Sequence, residues 1–173
     1  MGSNDLGPDG IAGFPEALRH NSTLESLFLR NNKIGDCGAT LFGNALASIK
    51  CLKRLGLNKN SIGDVGATAL SNGFVRNASL NAIELDQNFI GDAGARSIAS
   101  NLKVRQDFQC LLLSRNCITD DGAEALADML RAHRGLKHKC FAPHRRFIEG
   151  FAELSEEAEV LQHAIRPYLQ DVD

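Results

Sequence analysis

The sequence predicts an α/β solenoid made of strand-turn-helix units. Three observations predict it: nine positions that recur every 28 residues, a short apolar alternation early in each copy, and an apolar stripe of helical spacing late in it. The frame is Leu24-x-x-Leu27-x-Leu29-x-x-Asn32-x-Ile34-Gly35-Asp36-x-Gly38-Ala39. It returns as Leu52, Leu55, Leu57, Asn60, Ile62, Gly63, Asp64, Gly66 and Ala67, and again as Leu80, Ile83, Leu85, Asn88, Ile90, Gly91, Asp92, Gly94 and Ala95. The last full copy is Phe108, Leu111, Leu113, Asn116, Ile118, Thr119, Asp120, Gly122 and Ala123. The chain therefore divides into a partial unit at 4–23, full units at 24–51, 52–79, 80–107 and 108–135, and a degenerate strand at 136–143. Residues 1–143 are expected to form one repeat domain and residues 144–173 a helical C-terminal cap.

In the partial unit, Asn4, Leu6, Gly7 and Gly10 match Asn32, Ile34, Gly35 and Gly38. Pro8 takes the aspartate position, where its fixed φ suits a first helical turn, and Phe14 and Leu18 complete that helix. In each full unit, Leu27 and Leu29 or their counterparts alternate with exposed positions, so both point into the core from one short strand. Asn32, Asn60, Asn88 and Asn116 stand where the strand turns sharply, and their amides are expected to satisfy the backbone groups freed there. Asp36, Asp64, Asp92 and Asp120 precede the helical pattern, and each carboxylate is expected to cap the helix it begins. The helices carry Ala39, Phe42 and Leu46; Ala67, Leu70 and Phe74; Ala95, Ile98 and Leu102; and Ala123, Leu126 and Leu130. Each set falls at i, i+3 and i+7 and forms one inward stripe.

A 28-residue unit with this LxxLxLxxNxIGDxGAxxL frame resembles the ribonuclease-inhibitor class of leucine-rich repeats, over roughly residues 4 to 135. The resemblance implies a leucine-rich-repeat solenoid, a right-handed arc with a parallel sheet on the concave face and helices on the convex face. It leaves function open, because the class includes ribonuclease inhibitor, the sensor arrays of NLR receptors and the Ran GTPase-activating proteins.

Both ends depart from the frame. The chain begins in the middle of a unit, as expected of a fragment of a longer array or a truncated product of one, and the strand near Leu27 is then an uncovered edge open to self-association. After Leu136 the frame decays, with Lys139 in place of a Leu, Pro143 after it and His144 in place of the Asn. Beyond that point Phe147, Phe151, Leu154, Ala158, Leu161, Ile165 and Tyr168 form an apolar seam of helical spacing, read as a lid over the last unit.

With 43% hydrophobic residues but no Trp and one Tyr, the core must be aliphatic. A formal charge of −2 gives the chain as a whole no electrostatic case for nucleic acid or an anionic membrane. No leader pattern or membrane-spanning apolar run is present, and the five cysteines show no CxxC pair. The expected setting is cytoplasmic or nuclear, with reduced thiols. Asn21 and Asn77 head glycosylation sequons that are not expected to be used.

Function is expected on the solvent side of the strands. Four columns lie there: Ser26, Arg54, Ala82 and Cys110; Phe28, Gly56, Glu84 and Leu112; Arg30, Asn58, Asp86 and Ser114; Asn31, Lys59, Gln87 and Arg115. These vary between copies while the core columns do not, and a face mixing Phe28 and Leu112 with Arg and acidic residues suits recognition of a protein. The candidate partner-binding residues are Ser26, Phe28, Arg30, Arg54, Asn58, Lys59, Glu84, Asp86, Leu112, Ser114 and Arg115. Cys110 is expected to be accessible in the same face.

No catalytic, cofactor-binding or metal-ligating residue is assigned, and neither a cofactor nor a small-molecule substrate is expected. Cys140 with His138 and His144 lacks the second cysteine pair of a zinc site. Two alternatives to a binding module stand. Asn4-Asp5-Leu6-Gly7-Pro8-Asp9-Gly10 is similar to the NxFGPxG variant of Ran GTPase-activating proteins, and the chain also fits an inert segment of a longer receptor array. The basic stretch 131–146 has an acidic neighbour in Glu149 to Glu159 and no RNA-binding motif, so it is read as a solvated face.

Overall fold

The computed structural model describes residues 4–133, 135–136 and 138–140. Helices α1 (Gly7–Ile11) and α2 (Phe14–His20) form the partial unit. The full units follow as β1 (Ser26–Phe28) with α3 (Gly35–Leu46), β2 (Arg54–Gly56) with α4 (Asp64–Val75), β3 (Ala82–Glu84) with α5 (Asp92–Leu102), and β4 (Cys110–Leu112) with α6 (Asp120–Ala132). The last strand among the described residues is β5 (His138–Cys140). All five strands pair in parallel and in chain order, which makes the molecule an α/β solenoid.

The register advances by one repeat at every step. Leu27 lies opposite Leu55, Leu55 opposite Ile83 and Ile83 opposite Leu111, so the columns of the sequence are rows across the sheet. Strand β5 keeps this register, with His138 opposite Cys110, although its apolar signature has decayed. Pairing at the sheet margin is a backbone matter and does not need the Leu that Lys139 replaces. The seam from Phe147 to Tyr168, His144 and the cap at 144–173 lie outside the described residues.

The core is one layer between strands and helices. Leu29, Leu55, Leu57, Ile83, Leu85 and Leu111 meet Phe42, Leu46, Leu70, Phe74, Ile98 and Leu126, all fully buried. The Phe74 and Phe108 rings pack at 5.3 Å between centroids. Leu24 departs from the pattern: it is 38% exposed, whereas its equivalents Leu52, Leu80 and Phe108 are fully buried. Those three have a full unit on the N-terminal side; Leu24 has only α1 and α2. Helices α3 and α4 approach closely enough that a Cβ at Gly43 would strike the Ala69 carbonyl, and one at Gly73 the Gly43 carbonyl.

The asparagines fill their expected turn role and also stitch the units together. Asn88 donates through Nδ2 to its own unit at Leu85 O (2.9 Å) and to the previous one at Leu57 O (3.0 Å). Its Oδ1 accepts the amides of Asn60 (2.9 Å) and Ile62 (3.0 Å). Asn60 makes the same contacts one unit earlier, with Asn32 N–H at 2.7 Å and Leu29 O at 2.8 Å, and Asn116 repeats them on Ile90 N–H and Leu85 O.

The aspartates do not cap the helices they begin. Helices α3 to α6 have no side-chain bond at their own N-cap residue. Asp36 Oδ1 instead accepts the amides of Gly63 (2.7 Å) and Gly66 (2.9 Å), at the start of the next helix. Asp64 does the same for Gly91 (2.7 Å) and Gly94 (2.8 Å), and Asp92 for Thr119 (2.7 Å) and Gly122 (3.1 Å). The reason is positional. Asp64 and Asp92 already stand inside the first turn, as does Asp36, so the side chain leaves the helix toward the stacked neighbour. The recurring glycine is the seat of that carboxylate: a Cβ at Gly66 would lie 2.7 Å from Asp36 Oδ1, and one at Gly94 2.8 Å from Asp64 Oδ1. Burial pulls the Asp92 carboxyl upward, but hydrogen bonds from the Thr119 hydroxyl and the Thr119 and Gly122 amides outweigh it and hold it below its ordinary value.

One polar position escaped the sequence reading. Ahead of β1, β3, β4 and β5, at Asn21, Asn77, Arg105 and His133, a side chain closes the helix-to-strand loop, while the equivalent position ahead of β2 is the buried Ile49. Asn77 is buried, accepts the amides of Ser79 (2.8 Å) and Leu80 (2.6 Å), and donates to Leu46 O and Ile49 O. The nitrogen a glycan would occupy is therefore engaged in the core. Arg105 donates to the carbonyls of Phe74, Asn77 and Leu80, and Asp107 holds its Nε at 2.8 Å. That bond keeps the Asp107 carboxyl below its ordinary value. His133 Nδ1 accepts from Gly135 (3.1 Å) and Leu136 (3.2 Å), which leaves Nε2–H to donate to Arg105 O at 2.7 Å.

Candidate functional site

On the strand face opposite the helices, the variable columns come together in a connected row. Phe28 is 42% exposed and packs against Gly56, where a Cβ would stand 2.5 Å from the Phe28 ring. Glycine at 56 is what gives the ring its seat. The Arg54 guanidinium stands 5.7 Å from the ring centroid and bonds Glu84 Oε1 at 3.3 Å. Asn58 Nδ2 holds the other Glu84 oxygen at 2.9 Å. An aromatic ring, a cation, a carboxylate and an amide are thus fixed across three strands.

The third column has a structural task as well. Asn58 Oδ1 accepts the Asp86 amide (2.9 Å), and Asp86 Oδ1 accepts the Ser114 amide (2.7 Å), each side chain binding the backbone of the following unit. Burial pushes the Asp86 carboxyl above its ordinary value, and nearby Glu84 adds to this against the Ser114 hydrogen bonds and Arg30. In the fourth column Asn31, Lys59, Gln87 and Arg115 all adopt left-handed backbone, with φ of 57°, 59°, 55° and 56°. A β-branched side chain is disfavoured there, which accounts for four unbranched residues in a column that otherwise varies.

Among the sequence-chosen residues, Ser26, Phe28, Arg30, Arg54, Lys59 and Arg115 are exposed. Asn58, Glu84, Asp86, Leu112 and Ser114 are partly buried. Cys110 corrects an expectation: it is buried, 9% exposed, because its strand lies inside the sheet between β3 and β5 beside the small Ala82. Among the exposed apolar residues that the sequence did not single out are Phe89 at 65%, in the turn leading into α5, and Val65 at 68%, in the first turn of α4. Their signal was a large apolar residue at a position held by Lys33 and Ser61, or by Ala93, in other copies. Among the described residues no group of three His, Cys, Asp or Glu is placed to hold a metal ion, and no helix is long and apolar enough to cross a membrane.

The family described as Leucine Rich repeat matches residues 20–43, 48–71, 76–99 and 106–127. Among solved structures, the chain is similar to the tropomodulin C-terminal domain of Caenorhabditis elegans, with a TM-score of 0.72 and 15% identity over 94% of this chain and 99% of that one. It is similar to leiomodin-1 actin-binding site 2, with a TM-score of 0.72 and 17% identity over 90% of this chain and 93% of that one. At these identities the likeness concerns the fold. No curated protein matches by sequence.

Proposed function

Because the chain belongs to the leucine-rich-repeat family, its matched segments spanning more than half of its length, we propose that it is a protein-binding module that takes its partner on the concave strand face. The observation that carries this reading is the Phe28–Arg54–Glu84 line. A large aromatic ring stands part-exposed on a seat made for it, under a guanidinium already held by a carboxylate. Aromatic and Arg side chains fixed in this way lose little conformational freedom when a partner arrives, which is the property of an interface anchor. The repeated Asn and Asp side chains are engaged with backbone amides and carbonyls, which supports a binding module over an enzyme. The setting proposed for it is the cytoplasm or nucleus.

Covering the exposed part of Phe28 is worth about 1 kcal/mol by transfer arithmetic. The partner is first captured from lysate by affinity and then titrated by calorimetry. Phe28→Ala with Arg54→Ala is expected to weaken it at least tenfold with an unchanged melting temperature. Unchanged affinity would refute the face. The leiomodin-1 domain is by name an actin-binding site, so purified actin is the first protein to titrate.

A further inference from the structure

The strand-face columns carry four bases, Arg30, Arg54, Lys59 and Arg115, and two acids, Glu84 and Asp86, and these do not present themselves equally. Glu84 is recessed, its side chain only 17% exposed, and both its oxygens are engaged by Arg54 and Asn58. Asp86 is partly buried and spends an oxygen on the Ser114 amide. The bases differ. Arg30, Lys59 and Arg115 are exposed, and among the described residues none has an acidic partner within ion-pair distance. The neighbouring bases Lys33 and Lys53, by contrast, are answered by Asp5 and Glu25 at 2.8 and 2.6 Å. Lys59 and Arg115 also project from left-handed turns, which fixes the direction their side chains leave the sheet.

We propose that the partner presents an acidic segment with an aromatic or aliphatic residue, laid across the strands so that its carboxylates meet Arg30, Lys59 and Arg115 and its apolar side chain meets Phe28. This rests on the concave-face reading and gives it a chemistry. Neighbouring strands are about 4.8 Å apart, so Lys59 and Arg115, two strands apart, are separated by roughly 10 Å of sheet. An extended peptide crossing the strands brings its alternate side chains to such positions in two or three steps. Desolvated charge pairs with long side chains give register and a fast, salt-sensitive encounter, and the ring contributes apolar burial.

The test uses the full chain and two synthetic peptides of equal length: alternating Glu and Ser around one Phe, and alternating Lys and Ser around one Phe. Fluorescence anisotropy is expected to show binding of the acidic peptide alone, weakening with added salt. Lys59→Glu with Arg115→Glu is expected to reduce it at least tenfold while the melting temperature holds. Preference for the basic peptide, equal binding of both, or indifference to the charge reversal overturns the proposal, as does tighter binding of poly(U) than of the acidic peptide. Amide chemical-shift mapping separates the two levels. Perturbations at residues 26–31, 54–59, 82–87 and 110–115 by a peptide other than the acidic one leave the concave face standing and remove its acidic partner. Perturbations on α3 to α6 remove the face itself.

Discussion

Asp64 reaches out of its own unit to hold the amides of Gly91 and Gly94. Asp64→Ala is expected to destabilise by about 1–2 kcal/mol, and Asp64→Asn by less, since an amide oxygen still accepts. Gly94→Ala crowds the same carboxylate, so the double variant should cost less than the sum of the singles in urea titrations. Acid dependence divides the carboxylates. Asp86 has a raised carboxyl, so its contribution is present below its unfolded value and lost as pH rises through the folded one. Asp86→Asn should therefore stabilise at pH 7 and make little difference below about pH 4. Asp107, lowered by its bond to Arg105, behaves oppositely: its contribution is present above the unfolded value and lost as pH falls through the folded one. The recurrence of Asp and Gly was legible in the sequence, but the direction of the bond was not. A period of 28 reads the same whether a side chain serves its own copy or the next.

At the level of the element, strands, turns and helical stripes were readable because alternation and helical spacing are local. Leu57 is fully buried between strand and helix, and Leu57→Ala should cost roughly 2–5 kcal/mol through the cavity it leaves. The loop-closing side chains were not readable. Asn77, Arg105 and His133 occupy equivalent positions with different chemistry, and a pattern of recurring residue types does not show a place where the copies close the same loop in different ways. Arg105→Ala strips partners from the carbonyls of Phe74, Asn77 and Leu80 and should destabilise by about 2–3 kcal/mol in chemical unfolding. Cys110 was misjudged for a related reason: alternation gives the side of a strand, whereas accessibility also depends on the strands flanking it.

For the whole molecule, the column reading held as geometry because the register never slips between β1 and β5. Which columns do structural work is not legible in the sequence, since Asn58 and Asp86 bind backbone while lying in the variable face. The joints between units also carry bonds in both directions. Asparagine oxygens take amides from the unit before, and aspartate oxygens take amides from the unit after. The joints between the full units repeat the same bonds, so an extra copy of residues 52–79 placed after Ser79 should fold, with scattering showing a longer particle and circular dichroism showing helix gained in proportion. A copy shortened by one residue should not, because both sets of donors would miss. A gene encoding such a chain is therefore expected to change its length chiefly in whole steps. Duplication and loss of entire units are the moves that leave every asparagine and aspartate row intact, whereas an insertion within a unit shifts one set of donors against its acceptors.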